Sequence, residues 1–268
     1  MNEKMMLRVL EEIDKIHGFD ARHYKLSTLK RRLCLRLLAT QTNSYEEYLN
    51  FIKKNPSECE KFLETLTINV TDFFREKNVF LSLKQKILPA LLDSLSRKKR
   101  KTLRALSIGC AEGQEPYSLA IILSEIREKM ESKIKIFIHA TDINRNCLSR
   151  AKKGRYGMNQ VKSVPRTYLL RYFQNHKNSF EVKPSIKKMV RFKRHDIIKG
   201  NNLGKFDLIL CRNLFIFFES ELQVFLLQKI HSYLRSRGIL ILGSCEFPKI
   251  EGLFRPLSAR ERIYERLN

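Results

Sequence analysis

The 268-residue sequence lacks three features that would each have fixed its class. No apolar run approaches the ~20 residues that a membrane-spanning helix needs. The first residues include an early acid and no long apolar segment, so we expect no secretory signal. The six cysteines form no C-x-x-C pair and have no matching histidines. That pattern indicates that the cysteines are small buried side chains of a protein in a reducing cytosol. It does not favour a metal site or a disulfide framework.

Acidic residues are also scarce, because 28 Asp and Glu stand against 52 Lys and Arg and the net charge is +24. This excess is typical of a protein with an acidic partner: nucleic acid, an anionic membrane surface or an acidic protein. A lysine-rich surface without any such partner would look the same. The hydrophobic content of 43% is enough for a sizeable core, and the length allows one large domain or two modest ones.

Residues 1 to about 66 are predicted to be helical. Apolar residues recur at helical spacing from Leu7 to Ile16 and stop before Gly18. A second helix at 27–38 combines one apolar stripe with a cluster of basic residues, namely Lys30, Arg31, Arg32 and Arg36. Two S-x-x-E capping boxes, at 44–47 and 57–60, predict two further helices. The basic cluster is either a solvated face or a docking surface for an acidic helix.

The most informative stretch runs from Leu103 to Ile122. It predicts a buried strand, a turn containing Gly109 and Gly113, and a helix with Pro116 at its first position. Glycines let the backbone approach a ligand closely, and the start of a helix offers free N–H groups. Doubly wound α/β folds hold nucleotide-like cofactors in this way, although many strand–turn–helix units bind nothing.

The following segments extend a parallel sheet. A strand at 134–138 leads to Asp142, an acid placed to bond ribose hydroxyls or to cap the next helix. Further strands are predicted at 190–196, 206–213 and 239–243, with a turn at Arg237-Gly238 before the last. The strand at 206–213 ends on Arg212 and Asn213, where ligands bind in such sheets. The irregular segment 168–186 indicates a small antiparallel insertion, and 250–268 a closing hairpin.

The segment 66–76 contains a second group of candidate residues. Asn69 and Thr71 are favourable at a helix start, and Phe73-Phe74 would anchor the segment in a core. Arg75 follows these aromatics and would be partly desolvated. An arginine in that position is usually part of a structural ion pair, so a role in ligand binding needs support from elsewhere in the chain.

Together these stretches resemble the CheR family of chemotaxis receptor methyltransferases over nearly the whole chain. The matching pieces are 66–75, 109–118, 140–143, 171–173, 211–213 and 216–218, with the basic helix around 30–37. The resemblance implies an α/β, Rossmann-like S-adenosylmethionine-dependent methyltransferase domain at 77–268. It also implies a small β-subdomain inserted at about 168–187 and an all-α, receptor-docking N-terminal domain at 1–76.

The resemblance further implies methyl transfer from S-adenosylmethionine to glutamate side chains of methyl-accepting chemotaxis receptors, leaving S-adenosylhomocysteine. A cytoplasmic monomer without a metal ion or membrane insertion is expected. Asp142 would bind the ribose, Glu115 would lie near the polar end of the cofactor, and Arg75 would position a carboxylate. The implied cofactor residues are Asn69, Thr71, Arg75, Gly109, Glu115, Asp142, Asp196, Ile197, Arg212 and Asn213. Lys30, Arg31, Arg32 and Arg36 would dock the acidic receptor bundle.

Two departures from the family pattern concern the reacting centre. Phe217 stands where the family usually has Tyr, and Gly243-Ser-Cys-Glu246 replaces the usual Gly-His-Ser-Glu. Neither removes a group that methyl transfer to a carboxylate requires, but both bear on turnover and substrate preference. A nucleic-acid methyltransferase is the first alternative, disfavoured because the fourth strand ends in Cys-Arg-Asn and not in Asn/Asp-Pro-Pro-aromatic. A non-catalytic adaptor that binds S-adenosylmethionine is the second.

Overall fold

The structure is a computed structural model that describes residues 3–66 and 71–268. The chain divides into two compact units. The first comprises residues 1–69 together with 217–223, and the second comprises 70–216 and 224–268. Each unit has its own set of packed elements.

The first unit is built from the four predicted helices. They are α1 (Glu3–His17), α2 (Leu26–Thr40), α3 (Tyr45–Lys54) and α4 (Glu58–Leu66). The Ser44 hydroxyl accepts a hydrogen bond from the Glu47 N–H, as the capping box predicts. The segment that follows residue 216 also belongs here, since the Lys25 N–H donates to the Phe217 carbonyl at 2.9 Å. The rings of Tyr24 and Phe218 pack edge to face, 4.9 Å apart.

Ten strands form the two sheets of the second unit. They are β1 (Thr102–Ile108), β2 (Lys135–Asp142), β3 (Arg155–Gly157), β4 (Phe173–His176), β5 (Ser179–Val182), β6 (Val190–Arg194), β7 (Phe206–Cys211), β8 (Leu234–Leu242), β9 (Phe254–Ser258) and β10 (Ile263–Arg266). The buried apolar run of β7 confirms the prediction of an interior parallel strand.

The large sheet has the strand order β6-β2-β1-β7-β8-β10-β9. The first five strands are parallel, and β9 and β10 form the predicted antiparallel hairpin. The carboxyl ends of the five parallel strands therefore meet at one edge, which we call the carboxyl edge. The chain leaves β1 for β2 on one side and returns to β7 on the other. Such a switch in strand order opens a crevice for ligands.

Helices cover the sheet and position its loops. They are α5 (Lys77–Ser82), α6 (Leu88–Arg97), α7 (Gln114–Lys129), α8 (Arg145–Lys153), α9 (Arg166–Tyr172), α10 (Pro184–Lys187) and α11 (Ser220–Tyr233). A π-helical turn at Leu83–Ile87 joins α5 to α6. None of the helices in the described part of the chain has the length and apolarity needed to cross a membrane.

Two local predictions were wrong. The helix α7 begins at Gln114, so Pro116 is its third residue and not its first. The first turn of a helix has no intrahelical acceptor for its N–H groups, so proline is tolerated there. The predicted turn at Arg237-Gly238 lies inside β8, where Arg237 has a left-handed φ of 59°. The pairing with β7 shifts register between Phe206 and Leu208, so residues 235–238 lie opposite Asp207 alone and form an irregularity within the strand.

The three-stranded sheet has the order β3-β5-β4 and is antiparallel. Its hairpin β4–β5 lies in the segment predicted to be an antiparallel insertion. The third strand, β3, has only three residues and pairs Tyr156 with Phe180. A strand of that length shows no alternation in sequence, and β3 was not predicted.

Candidate functional site

Arg212 follows β7 directly and is the centre of a hydrogen-bond network at the carboxyl edge. Its side chain is only 1% exposed. Nη1 donates to Glu115 Oε2 at 3.2 Å, and Nη2 donates to Glu76 Oε2 at 3.0 Å. Nη2 also donates to the carbonyl of Arg75 at 2.7 Å. The guanidinium thus joins the end of β7 to the start of α7 and to the segment before α5.

Glu115 is the second residue of α7 and faces the end of β1. Its Oε1 accepts a hydrogen bond from the Ser107 hydroxyl at 2.8 Å. Burial raises the pKa of Glu115, and the opposing effects of Arg212 and Ser107 do not fully cancel it. The carboxylate therefore lies at the switch in strand order, between β1 and β7.

Both carboxylate oxygens of Glu76 accept hydrogen bonds. Oε1 accepts from Asn213 Nδ2 at 3.2 Å and from the Ser244 hydroxyl at 3.0 Å. Oε2 accepts from Arg212 and from the Ser244 N–H at 3.1 Å. Burial acts to raise the pKa of Glu76, but the Arg212 guanidinium and the other donors outweigh it and hold that pKa below its ordinary value.

Glu246 shapes the loop that follows β7. Its carboxylate accepts backbone hydrogen bonds from Gly243 at 2.7 Å, Asn213 at 2.9 Å and Phe215 at 2.7 Å. Burial raises the pKa of Glu246 despite these three donors. A Cβ at Gly243 would lie 2.8 Å from Glu246 Oε2 and 2.7 Å from Asn213 Nδ2, so only glycine fits beside this carboxylate.

Asp142 is the last residue of β2 and is buried. Its Oδ1 accepts the Asn144 N–H at 2.9 Å, and its Oδ2 accepts the Ala111 N–H at 2.8 Å. Burial raises the pKa of Asp142, and these N–H groups act against the increase. The Asn144 side chain, not Asp142, caps α8. A carboxylate has about four lone-pair sites, so Asp142 can still accept a ligand hydroxyl beside its backbone donors.

Four of the nine non-glycine residues with a left-handed φ in the described chain lie at this edge. Phe74 and Glu76, on either side of Arg75, have φ values of 55° and 59°. Ala111 and Asn213 have φ values of 45° and 57°. Left-handed φ values are uncommon in residues other than glycine, and they cluster at functional sites where surrounding contacts hold them.

The structure brings most of the predicted cofactor residues to the carboxyl edge. Gly109 follows β1 with a φ of 69°, and the Arg75 side chain is half-buried. Gly109, Asp142, Arg212 and Asn213 lie at or directly after strand ends. Asp196 and Ile197 lie two and three residues beyond β6, and Glu115 lies in the first turn of α7. Thr71 is half-buried in the segment before α5, and Asn69 lies outside the described residues.

Asp196 and Ile197 follow the edge strand β6. The neighbouring His195 N–H donates to the Asp142 carbonyl at 3.0 Å, which holds this loop beside the end of β2. Asp196 Oδ1 accepts the Ile198 N–H at 2.8 Å and so closes a turn, and Ile197 is buried. In this structure the Asp196 side chain therefore stabilises the turn that follows β6.

Phe217 and the basic cluster belong to the first unit. Phe217 is half-buried, and Lys30 and Arg31 are exposed on α2. Arg36 is different, because its guanidinium forms a bidentate ion pair with Glu58 at 2.7 and 3.0 Å. The Tyr48 hydroxyl also donates to Glu58, which is 1% exposed. Arg36 therefore has a structural partner that the sequence pattern did not indicate.

Glu76, Ser244 and Glu246 belong to the hydrogen-bond network of the candidate site but were not predicted from the sequence. Glu76 directly follows Arg75, and adjacency was the only available signal. Ser244 and Glu246 lie in a stretch that stood out only by its difference from the family pattern. Their roles depend on the meeting of loops that are distant in the chain, which spacing alone does not reveal.

Comparison with known proteins identifies the class. Residues 69–263 match the family model "CheR methyltransferase, SAM binding domain", and residues 6–67 match "CheR methyltransferase, all-alpha domain". The protein is thus an S-adenosylmethionine-dependent methyltransferase. Within that class, the chain belongs to the CheR methyltransferase family.

Curated relatives agree with this assignment. The chain is 32% identical over 244 residues to a chemotaxis protein methyltransferase of Borreliella burgdorferi, covering 89% of this chain and 86% of the relative. It is 31% identical to a chemotaxis protein methyltransferase of Listeria monocytogenes, covering 91% and 90% of the two chains. A chemotaxis protein methyltransferase 2 of Pseudomonas aeruginosa is 28% identical, with coverage of 89% and 85%.

The residues at the carboxyl edge fit S-adenosylmethionine. The cofactor carries a cationic sulfonium and an ammonium group, and this edge gathers carboxylates in a chain whose net charge is +24. Asp142 has two oxygens with spare lone pairs for the ribose hydroxyls. Arg212 Nε and Gln114 Oε1 are buried without a hydrogen-bond partner among the described residues, so polar capacity remains for a ligand.

Proposed function

We propose that the protein transfers the methyl group of S-adenosylmethionine to glutamate side chains of methyl-accepting chemotaxis receptors. The products are glutamate methyl esters and S-adenosylhomocysteine. The names of the relatives support a role in chemotaxis, and the chemistry of the carboxyl edge supports a carboxylate as the acceptor.

One observation carries the proposal: the carboxylates of the carboxyl edge are engaged on both oxygens. Glu76, Glu115, Asp142 and Glu246 accept hydrogen bonds from side chains or backbone N–H groups on each oxygen. Their hydrogen bonds hold the loops of this edge together, and the carboxylates can bind a cation. A glutamate acceptor is already ionised at neutral pH, because its ordinary pKa is about 4.3. It needs no general base.

The residues have distinct proposed roles around the cofactor. S-adenosylmethionine supplies an electrophilic methyl group on its sulfonium. Asp142 holds the ribose hydroxyls, Glu115 the amino group, and Arg75 a carboxylate of cofactor or acceptor. The remaining contacts come from Asn69, Thr71, Gly109, Asp196, Ile197, Arg212 and Asn213. Holding the acceptor oxygen in line with the methyl group and excluding water accelerate the transfer.

The N-terminal domain, assigned to residues 1–76, docks the acidic helical bundle of the receptor. Lys30 and Arg31 present exposed charge on α2. Arg32 Nε is buried without a hydrogen-bond partner in the described chain, and burial together with Arg31 lowers the pKa of Arg32. A receptor carboxylate would relieve both effects. Arg36 contributes by ordering α2 through Glu58. The catalytic domain, 77–268 with its β-subdomain at about 168–187, works as a cytoplasmic monomer without a metal ion.

The test is incubation with methyl-labelled S-adenosylmethionine and receptor-containing membranes. We expect label on the receptor that base releases as methanol, as an ester requires. Label on added RNA would favour a nucleic-acid methyltransferase, and cofactor binding without any transfer would favour an adaptor. Either result would overturn the proposal.

Arg75→Ala tests the site within the same assay, with Lys77→Ala as the matched control. Lys77 is an exposed cation two residues further along the same segment. We expect Arg75→Ala to reduce methyl transfer strongly and Lys77→Ala to leave it near the wild-type rate. If Arg75→Ala preserves both transfer and cofactor affinity, the role assigned to Arg75 is wrong.

A further inference from the structure

A cavity lies at the amino ends of the parallel strands, which we call the amino edge. Its volume is about 560 Å³. It opens between α6 and the first residues of β7 and β8, and β9 and β10 complete its wall. Cavities of this size commonly hold small ligands. The charged and apolar residues that carry the argument are Lys86, Lys98, Arg100, Arg235, Leu91 and Leu257.

The cavity has a strong excess of positive charge. Six cationic and two acidic side chains line it, an excess of four. Both acids are already paired. The Asp207 side chain is 3% exposed. Its carboxylate accepts hydrogen bonds from Arg100 Nη2 at 3.1 Å and from the Arg104 N–H at 2.9 Å. Glu265 accepts from Arg237 and from Arg255. Asp207 also lies 3.6 Å from Arg235 Nε, and neither acid forms an ion pair with Lys86 or Lys98 in the described chain.

Three of the lining cations can bind a ligand through their charged groups. Lys86 and Lys98 are exposed and form no ion pair within the described chain. Arg235 Nε lies 3.6 Å from Asp207 Oδ1, beyond hydrogen-bond distance, so the Arg235 guanidinium can also bind a ligand. Guanidinium and ammonium groups grouped in this way suit phosphate oxygens, which accept several charge-assisted hydrogen bonds.

Apolar side chains line the same cavity. Leu91 and Leu95 come from α6, Ile239 comes from β8, and Leu257 on β9 is 42% exposed. A bare inorganic anion would leave this apolar surface in water, and an apolar ligand would leave the cations unpaired. A ligand that joins phosphate groups to a flat, partly apolar ring system satisfies both.

We propose that the amino-edge cavity binds an organic phosphate of the nucleotide class. Phosphates lie against Lys86, Lys98 and Arg235, and the ring system lies against Leu91 and Leu257. The cavity is built by the amino ends of strands whose carboxyl ends hold the cofactor residues, so the two sites do not overlap. The proposal does not depend on which side chain the enzyme methylates.

The proposal also explains the basic run at 97–101, which otherwise reads as an exposed loop before β1. Arg97, Lys98 and Arg100 line the cavity, whereas Lys99 and Lys101 do not. Arg97 is additionally paired with Asp93 at 2.7 Å. The run therefore contains both the proposed contacts and cations of the same type that serve as their control.

The test is calorimetric titration of the full chain with ATP, with saturating S-adenosylhomocysteine present to block the carboxyl edge. A salt concentration of about 0.15 M screens diffuse attraction. We expect one saturable site, weakened about tenfold or more in the double variant Lys86→Gln/Lys98→Gln, the equivalent of about 1.4 kcal/mol. The double variant Lys99→Gln/Lys101→Gln removes the same charge outside the cavity and should bind as the wild type does. Thermal melting of both variants confirms that they fold.

Three results would overturn the proposal. The first is the absence of saturable binding by the wild-type chain. The second is equal weakening in the two double variants, which would show diffuse attraction to a basic surface. The third is inorganic triphosphate binding as tightly as ATP, which would remove the role of the apolar wall. If S-adenosylhomocysteine itself fails to bind, the carboxyl-edge assignment falls, while the comparison of the two double variants still tests the cavity.

Discussion

Arg212 and Glu76 form a 3.0 Å ion pair although 136 residues separate them in the chain. The pair fixes the strained segment around Arg75 against the end of β7. Glu115 provides a second carboxylate for the same guanidinium at 3.2 Å. Because the Arg212 side chain is almost fully buried, its charge depends on these two partners.

Replacing Glu76 by alanine should destabilise the protein. The variant leaves a buried guanidinium with one carboxylate instead of two, and we expect the free energy of unfolding to fall by about 2–3 kcal/mol. Urea denaturation measures the change. Asp93→Ala is the control, since it breaks the Arg97–Asp93 ion pair whose side chains are 74% and 53% exposed. That loss should stay below about 0.5 kcal/mol. Equal losses in the two variants would contradict the central position of the Arg212–Glu76 pair.

Replacing Asp142 by alanine should weaken the binding of S-adenosylhomocysteine. Hydrogen bonds to a charged acceptor contribute about 1.5–3 kcal/mol, so the affinity should fall by roughly tenfold to a hundredfold. Calorimetric titration measures the change. The same variant also frees the Ala111 and Asn144 N–H groups, so its thermal stability is measured alongside. A folded Asp142→Ala variant with unchanged affinity would remove Asp142 from the cofactor site.

Much of the fold was predictable because it rests on local patterns. Helical periodicity between Leu7 and Ile16 placed α1, and the apolar run at 206–211 placed β7. The continuation of β8 through Arg237 was not predictable, because a glycine next to an arginine is typical of an ordinary turn. The irregular residues 235–238 belong to the strand only through the pairing of β8 with β7 on either side of them. The three-residue strand β3 likewise exists only through β5.

The residues of the candidate site fall into the same two groups: those that local patterns predict and those whose position depends on tertiary packing. Asp142 and Arg212 follow strand ends, and their place at the carboxyl edge comes from the rule that parallel strands end together. The contacts of Glu76 and Glu246 arise from loops that approach each other across the edge. The ion pair of Arg36 with Glu58 joins two helices 22 residues apart and has no signature in either helix. Such pairings depend on tertiary packing.

The titration of Glu246 should appear in the pH dependence of stability. An unfolded glutamate has a pKa of about 4.3, and burial raises this pKa in the folded protein. Between the two values the native state holds a proton that the unfolded chain has released, so the free energy of unfolding falls as the pH rises. Glu246→Gln should remove that part of the slope from about pH 4.3 upward. Urea denaturation across this interval measures it.

The Gln variant also replaces one of the two oxygens that accept the backbone N–H groups of Gly243, Asn213 and Phe215 by an NH2 donor. That change shifts the whole stability curve by a constant amount, so only the difference in slope reports the titration of Glu246. Slopes that coincide from pH 4 to pH 8 would show that the buried carboxylate titrates as it does in the unfolded chain.

The basic cluster on α2 should separate into two kinds of residue. Arg36→Ala leaves the carboxylate of Glu58 buried without its guanidinium, and we expect the free energy of unfolding to fall by about 3 kcal/mol or more. Lys30→Ala and Arg31→Ala change exposed side chains and should alter stability by less than about 0.5 kcal/mol.

In the methylation assay we expect the opposite order of effects, because the exposed residues and not Arg36 should determine how the rate depends on receptor concentration. Lys30→Ala and Arg31→Ala should raise the KM for receptor, increasingly so at low salt, because their charges meet an acidic surface. Unchanged KM values in both variants would remove the docking role from α2 and leave Arg36 as a purely structural residue.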